Sequence, residues 1–176
     1  MMFLWTTSDL IGAKAIRLAT NAPTSHFAVS FDEQKGGFGI VFHSSFHGVG
    51  IEWLGHFIKR NKIVFALRPK VSIGLAGEEE LYQALVQNFY GAEYDWSLLP
   101  EFGYHAIKQR LTGQPMPARS KFGSNKAYLC TEIAPKIQEV RPEFFYSPLP
   151  SEMISPYTLY KNMYKSSSLE PCSFIG

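Results

Sequence analysis

The chain has 176 residues, the length of one domain and enough to bury a core without metal or disulfide crosslinks. It carries 17 Lys and Arg against 15 Asp and Glu, and this near balance argues against a dedicated nucleic-acid or membrane-surface binder, which would show a clustered basic face. Charged residues make up 18% and aromatic residues 15%, so the composition excludes disorder and favours a compact, aromatic-rich domain.

The first five residues are apolar, but they have no basic lead and the run stops at Thr6. This pattern predicts neither a signal peptide nor a transmembrane helix. The two cysteines, Cys130 and Cys172, are too few for a disulfide framework, and we expect both to be reduced thiols. The sequence therefore predicts a cytoplasmic or virion-associated protein without membrane insertion.

The first half of the chain predicts one helix followed by strands. A helix capped by Ser8 or Asp9 is predicted to end at residues 21–23. Its apolar residues at helical spacing are Ile11, Ala15 and Leu18. Residues 25–31 alternate strictly between large apolar and small or polar side chains, which is typical of a strand. Residues 32–37 predict a turn, and further strands are predicted over residues 38–43, 49–53 and 62–67.

The second half of the chain predicts helices. Acidic residues at 78–80 suit the positive end of a helix. The apolar face of that helix is formed by Leu81, Leu85 and Phe89. Two more helices are predicted, one after Asp95 and one that begins around Cys130. Residues 155–156, Ser-Pro, begin the last helix, since proline suits a first helical turn.

The order of elements is a helix, a block of antiparallel strands and then helices. This order is typical of an α+β protein and differs from repeated βαβ units. We therefore expect an antiparallel sheet packed against helices in a single domain over residues 1–165. Residues 166–176, which begin with three serines, are predicted to form a flexible C-terminal tail.

Two histidines fall on the predicted strands, and the register brings them together. If the turn at residues 32–37 places Phe31 opposite Phe38, His26 lies directly opposite His43. Cross-strand partners on one face lie about 5 Å apart at Cβ. Their neighbours on that face are small and leave room for a substrate or for the start of a packing helix, whereas large apolar side chains occupy the other face.

Two adjacent histidines suit a site in which one imidazole is the general base and the other fixes its tautomer. Cys130 is the candidate nucleophile, because a helix start would stabilise its thiolate and offer its N–H to an oxyanion. With an imidazolium from His26 beside it, Cys130 is expected to have a depressed pKa and to react with iodoacetamide before Cys172. Spacing alone favours a plainer interpretation, with structural strand histidines and a small buried cysteine.

Two alternatives stay open at this point. A zinc site would draw on His43, His47, His56 and Cys130. The glycines and the strand pattern near residue 48 argue against a helical ligand pair, however, and no HExxH or CxxC motif occurs. Glu52 and His47 are also rivals of His43 for the residue that orients the base.

Five segments occur in a characteristic order: SHFAV (25–29), VFHS (41–44), GAEYD (91–95), YLCTEI (128–133) and ISPYTLY (154–160). Together they resemble the motifs of the circularly permuted papain-like cysteine hydrolases. The branch with the most similar motifs is the YiiX/YebB-like group of the NlpC-type peptidases, which is related to the lecithin:retinol acyltransferases. The resemblance covers about residues 6–160.

This resemblance implies a permuted papain-like, NlpC-type fold in which Cys130 is the nucleophile, His26 the base and His43 the orienting residue. Two positions depart from the family pattern. Thr131 stands where serine is usual, and Pro135 lies near the first turn of the cysteine helix, where it is expected to remove a hydrogen bond.

The implied function is a cysteine hydrolase that cleaves an amide through a thioacyl-enzyme, with bacterial cell-wall peptides as the expected substrate class. An acyl or thioester hydrolase or acyltransferase acting on lipid-like substrates is one alternative. A structural component of a phage particle is another. LCTE at residues 129–132 differs from the NCEHF of the lecithin:retinol acyltransferases, which favours the amidase. The expected partner is a peptide or acyl substrate, including peptidoglycan fragments, and we expect no nucleic acid, cofactor or metal.

Overall fold

A computed structural model describes residues 1–31, 39–95, 98–114, 127–128, 130–149 and 154–173. Its strands are β1 (Met2–Thr7), β2 (His26–Phe31), β3 (Ile40–Ser45), β4 (Gly48–Trp53), β5 (Lys62–Pro69), β6 (Glu93–Tyr94), β7 (Ala127–Tyr128) and β8 (Leu169–Pro171). Six strands form one antiparallel sheet in the order β4-β3-β2-β1-β5-β8, and β6 and β7 form a separate parallel pair. The predicted turn at residues 32–37 and the predicted pairing residue Phe38 lie outside the described residues.

The helices are α1 (Ile11–Thr20), α2 (Leu54–Arg60), α3 (Gly74–Phe89), α4 (Leu98–Thr112), α5 (Ala134–Val140) and α6 (Pro156–Tyr164). One 3-10 turn follows α5 at Pro142–Phe144. None of the helices in the described ranges combines the length and the apolarity needed to cross a lipid bilayer. The predicted α+β class, an antiparallel sheet packed against helices, is confirmed.

The sheet contains an interior strand that the alternation pattern did not predict. β1 pairs with β2 along one edge and with β5 along the other, and its side chains are buried on both faces of the sheet. A strand covered on both faces needs no polar alternation, so a short apolar run is its only sequence signal. The apolar N-terminal run is therefore part of the centre of the fold.

Two apolar clusters cover the two faces of the sheet. The larger lies under α3, α5 and α6, and its fully buried aromatic side chains are Phe3, Trp5, Phe27, Phe42 and Phe144. The smaller lies under α2 and consists of Leu4, Ala28, Val41, Phe57 and Ala66. Strict alternation along β2 divides its side chains between the two clusters, as its sequence predicts.

The segment 166–176, predicted to be a flexible tail, contributes a strand instead. β8 pairs with the outer edge of β5, Leu169 is buried, and the N–H of Cys172 donates to the carbonyl of Ala66 at 3.1 Å. Three residues are too few to show a period, so only pairing with β5 defines this strand. Residues 174–176 lie outside the described residues.

The predicted apolar faces of the helices point in different directions. In α3 the prediction is confirmed, because the buried residues include Leu81, Leu85 and Phe89. The last helix also begins as predicted, with the Ser155 hydroxyl accepting from the N–H of Thr158. In α1, by contrast, Ile11 and Leu18 are exposed and Ala13 is the buried residue. Helical spacing shows that residues share a face, but not which way that face points.

Two helical leucines test this packing. Leu81→Ala should lower the free energy of unfolding by about 2–5 kcal/mol, because it leaves a cavity in the core. Leu18→Ala should change it by less than about 0.5 kcal/mol, because that side chain is 76% exposed. Urea denaturation followed by circular dichroism compares the two variants. Equal losses would contradict the burial of the α3 face.

Candidate active site

His26 and His43 lie on neighbouring antiparallel strands with their side chains on the same face of the sheet, as predicted. The register differs from the predicted one by two residues. Ala28 lies opposite His43, and Phe31 pairs with Ile40. A shift of two residues keeps every side chain on its predicted face, so the histidines become diagonal neighbours.

A carboxylate extends the histidine pair into a chain of three side chains across three strands. His26 Nε2 lies 3.2 Å from His43 Nδ1, and His43 Nε2 lies 2.9 Å from Glu52 Oε1. Glu52 is on β4 opposite Val41, which places it on the same face as His43. Its second oxygen, Oε2, accepts from the guanidinium of Arg60 at the end of α2. Polar contacts therefore run in series from the first histidine to the arginine.

These contacts assign the tautomers of both rings. The Glu52 carboxylate only accepts, so His43 carries its proton on Nε2 and presents Nδ1 as an acceptor. His26 then donates from Nε2. The lone pair on His26 Nδ1 is left as the basic site of the pair.

The surroundings keep both imidazoles neutral at neutral pH. Burial lowers the pKa of His26 to about 3, and the neighbouring His43 acts in the same direction. Burial also lowers the pKa of His43, although the charge of Glu52 opposes this effect. Phe57 of α2 packs against both rings, with its centroid 6.1 Å from that of His26 and 5.2 Å from that of His43. Neutral rings are what the assigned tautomers require.

The partly buried His26 predicts a loss of stability in acid. In the unfolded chain an ordinary histidine titrates near 6.5, whereas the pKa of His26 in the folded protein is about 3. Between these values the unfolded chain binds a proton that the folded protein does not, so stability is present above pH 6.5 and is lost as the pH falls towards 3. We expect the contribution of His26 to this loss to be about 3–5 kcal/mol.

Urea denaturation of wild type and His26→Gln at pH 7 and pH 4 measures this difference. The variant should lose less stability in acid than wild type. His56→Gln is the matched control, because His56 is exposed on α2 and its replacement should leave the acid loss unchanged. A His26→Gln variant as acid-sensitive as wild type would contradict a His26 that stays neutral in the folded protein.

The histidine pair opens into a cleft of about 150 Å³. The polar residues that line it include Ser25, Ser44, Ser45, His47 and Asn61. The first helix and the residue before it contribute the apolar lining residues Leu10, Ala13 and Ile16. Tyr94 of β6 also lines the cleft, and its ring meets that of Phe46 edge-on at 5.3 Å. The cleft is therefore lined by both polar and apolar residues.

Cys130 lies in a turn before α5, and not at a helix start as predicted. The helix begins at Ala134 and has seven residues. Backbone groups of Phe27, Cys130 and Thr131 hydrogen-bond to the sulfur. Pro135 falls in the first turn of α5, where its missing N–H has no intrahelical partner to lose, so the expected loss of a hydrogen bond does not occur.

The predicted depression of the Cys130 pKa is wrong. Burial is the largest cause of a shift that raises the pKa of the thiol to about 12, and the charge of Glu132 acts in the same direction. The backbone hydrogen bonds oppose the shift without cancelling it. The sequence argument relied on a helix start and an imidazolium, but the helix begins four residues later and His26 is neutral. Cys130 is therefore a thiol at neutral pH.

A small parallel sheet positions the Cys130 turn. β7, which ends two residues before Cys130, pairs with β6, and the neighbouring residue Ala92 accepts a hydrogen bond from Val49 of β4 at 2.8 Å. Gly48 has a φ of 105°, and a Cβ there would lie 2.6 Å from the Ala92 carbonyl, so glycine is required at this contact. Burial raises the pKa of Tyr94, and nearby Cys130 is the next largest cause. The cysteine and the cleft wall are therefore neighbours.

The structure brings together two of the three predicted site residues, His26 and His43. In the described part of the chain, the hydrogen bonds of the Cys130 sulfur are to backbone groups, one of which belongs to Phe27, the residue after His26. The roles predicted for the three residues stay predictions. Glu52, considered a rival of His43, is instead its partner.

The other histidines considered from the sequence do not lie together in the structure. His47 lines the cleft, whereas His56 is exposed on α2. Within the described ranges, no group of three or more His, Cys, Asp or Glu side chains is arranged to hold a metal ion. Arg60 was not predicted, because its side chain is 63% exposed at a helix end and only the packing of α2 brings its guanidinium to Glu52.

Comparison with known proteins shows a similarity to a solved structure. No family model and no curated protein sequence matches the chain. Among solved structures, it is similar to the metalloprotein YiiX from Escherichia coli O157:H7, with a TM-score of 0.54 and 17% identity. The similarity covers 98% of this chain and 94% of that one.

The sheet, its helices and this full-length similarity define an α+β protein with a YiiX-like fold. At this level of identity the comparison establishes the fold alone. The relation to YiiX predicted from the sequence motifs is confirmed at that level.

Proposed function

We propose that this protein is a cysteine hydrolase that cleaves an amide bond through a thioacyl-enzyme, with Cys130 as nucleophile, His26 as general base and His43 as the residue that orients the base. The observation that carries the proposal is the contact series of His26, His43 and Glu52 at the cleft, which leaves His26 Nδ1 as a base. Cys130, whose sulfur meets the backbone of Phe27, the residue after His26, is the nucleophile that we assign to this base.

The proposed reaction begins from neutral groups. As the Cys130 sulfur bonds to the carbonyl carbon, its proton passes to His26 Nδ1. The tetrahedral intermediate then expels the amine, which takes that proton as the C–N bond breaks. Water, deprotonated by the same nitrogen, attacks the thioester and releases the acid, and the sulfur recovers its proton. His43 accepts from His26 Nε2 throughout and keeps the ring in position.

The resting thiol and imidazole favour proton transfer during attack over a preformed ion pair. A thiol with a pKa of about 12 and an imidazole with a pKa of about 3 do not exchange a proton in the resting protein. The proton must therefore move as the new S–C bond forms. Backbone N–H groups around the sulfur, including that of Cys130, are suited to stabilise the oxyanion.

Polar residues that line the cleft, including His47 and Asn61, support an amide substrate, and bacterial cell-wall peptides are the substrate class that we propose. The apolar lining residues Leu10 and Ile16 support the second candidate, an acyl or thioester hydrolase or acyltransferase acting on lipid-like substrates.

The solved neighbour is called a metalloprotein, which raises the question of whether these residues fit a metal ion. Two nitrogens on one zinc ion lie about 3.3 Å apart in tetrahedral geometry. The 3.2 Å between His26 and His43 is thus compatible with a shared ion, but the described residues offer no third ligand, and Glu52 lies against the other nitrogen of His43. The residues fit a proton relay better than a metal centre.

Incubation with muropeptides, acyl thioesters and phospholipids, followed by mass spectrometry of products and of the intact protein, tests the proposal. We expect muropeptide cleavage and a thioacyl adduct on the peptide that contains Cys130. Cleavage of thioesters or phospholipids alone would favour the second candidate. Turnover that persists without an adduct and depends on added zinc would overturn the cysteine mechanism.

A further inference from the structure

Glu52 is the carboxylate at the end of the histidine series. Its side chain is 16% exposed, and its two oxygens have different partners. Oε1 lies 2.9 Å from His43 Nε2, and Oε2 accepts from Arg60. A carboxylate held on both sides cannot rotate without losing one of these contacts.

The register of the sheet explains why the side chains of His26, His43 and Glu52 meet. His43 lies opposite Ala28 on one side and Gly50 on the other, so His26 and Glu52 are each two residues away along the neighbouring strands. Small residues directly opposite His43 leave space for its ring to reach both diagonal neighbours. The three side chains therefore meet in one line across β2, β3 and β4.

We propose that Glu52, held by Arg60, is a positioning residue that fixes the tautomers of both histidines and thereby keeps the lone pair of His26 on Nδ1. The basis of this role is the donor-to-acceptor direction of the hydrogen bonds. A carboxylate requires a donor at His43 Nε2, which makes His43 Nδ1 an acceptor and requires a donor at His26 Nε2. Without Glu52, either nitrogen of His43 can carry the proton, and the tautomer of His26 is no longer fixed.

The groups that face His43 come from three elements. His26 faces it from β2, Glu52 from β4, and Arg60 and Phe57 from α2. Of these, only the carboxylate can demand a donor from Nε2. The role of Glu52 is therefore distinct from the aromatic packing of Phe57.

The catalytic part of this inference rests on the proposed function, but the tautomers are measurable without any substrate. Nitrogen-15 NMR of the histidine rings distinguishes Nε2–H from Nδ1–H. In the wild type at neutral pH, we expect His26 and His43 each to be Nε2–H. In Glu52→Ala, His43 should become a mixture of tautomers, and Glu52→Asp should restore part of the wild-type state.

Kinetics provide the second readout. Glu52→Ala should lower kcat by about 10- to 100-fold with little change in KM, because a positioning residue acts on the base and does not touch substrate. The acidic limb of the pH profile should move to lower pH, because a protonated His43 cannot accept from His26 Nε2 and the charge of Glu52 raises the pKa of His43. Glu170→Gln is the matched control, since Glu170 forms a similar Arg–Glu pair with Arg68 at the other end of the sheet.

The outcomes separate the two proposals. Unchanged tautomers in a folded Glu52→Ala variant, or an equal kinetic loss in Glu170→Gln, would overturn the role of Glu52. Tautomers that respond as expected in a protein without hydrolase activity would support Glu52 and refute the proposed function. If Glu52→Ala does not fold, Arg60→Met tests the same series, and we expect it to produce a smaller shift towards mixed tautomers.

Discussion

Cys130→Ala is expected to lower amide hydrolysis at least ~10³-fold, because no other group in the proposed mechanism forms the thioacyl bond. His26→Ala should cause a loss of similar size, since nucleophile and base act as a unit. His43→Ala should cost less, because His43 contacts the base and not the reacting atoms. Steady-state kinetics on the substrate identified by mass spectrometry measures all three.

Cys172→Ala is the matched control for this series. Cys172 lies beside the β5 edge, packed against the smaller apolar cluster, and takes no part in the cleft. Its replacement should leave kcat and KM unchanged. Full activity in Cys130→Ala, or an equal loss in Cys172→Ala, would refute Cys130 as the nucleophile.

In the absence of substrate, Cys130 is expected to react with iodoacetamide about 10³-fold more slowly than an ordinary thiol at pH 7. The thiolate is the reactive form, and raising the pKa of Cys130 from 9 to about 12 reduces the thiolate fraction by about that factor. Burial of the sulfur slows the reaction further. Cys172, which is only partly buried, should therefore be labelled first.

Peptide mass spectrometry after timed alkylation compares the two cysteines within one sample. In urea both should react at similar rates, which controls for the sequence around each thiol. The rate at Cys130 in the folded protein should rise with pH well beyond pH 9. Preferential labelling of Cys130 near pH 6 would show a thiolate–imidazolium pair and would contradict proton transfer during attack.

Local periodicity predicted a large part of the fold. The alternation in β2 placed the two histidines on one face, and helical spacing identified the buried face of α3. Both predictions hold because a period of two or of 3.6 residues is a property of the chain itself. An error of two residues in the register of β2 and β3 did not matter, since faces repeat every two residues.

Features without a local period were not predicted. β1 is buried on both faces and β8 has three residues, so neither shows alternation, and each depends on the strands beside it. The exposure of Ile11 and Leu18 in α1 was not predicted either, because packing against the rest of the protein decides which face of a helix is covered.

The same distinction between local spacing and tertiary packing applies to the candidate site. The sequence by itself determined that His26 and His43 share a face, because this follows from spacing along the chain. Only the tertiary structure decided that Glu52 is joined to His43, that Arg60 holds Glu52, and that burial keeps Cys130 protonated. Ionisation and hydrogen bonding depend on groups that folding brings close from distant parts of the chain, and on the solvent that these groups exclude. The spacing of residues along the chain therefore predicts neither of them.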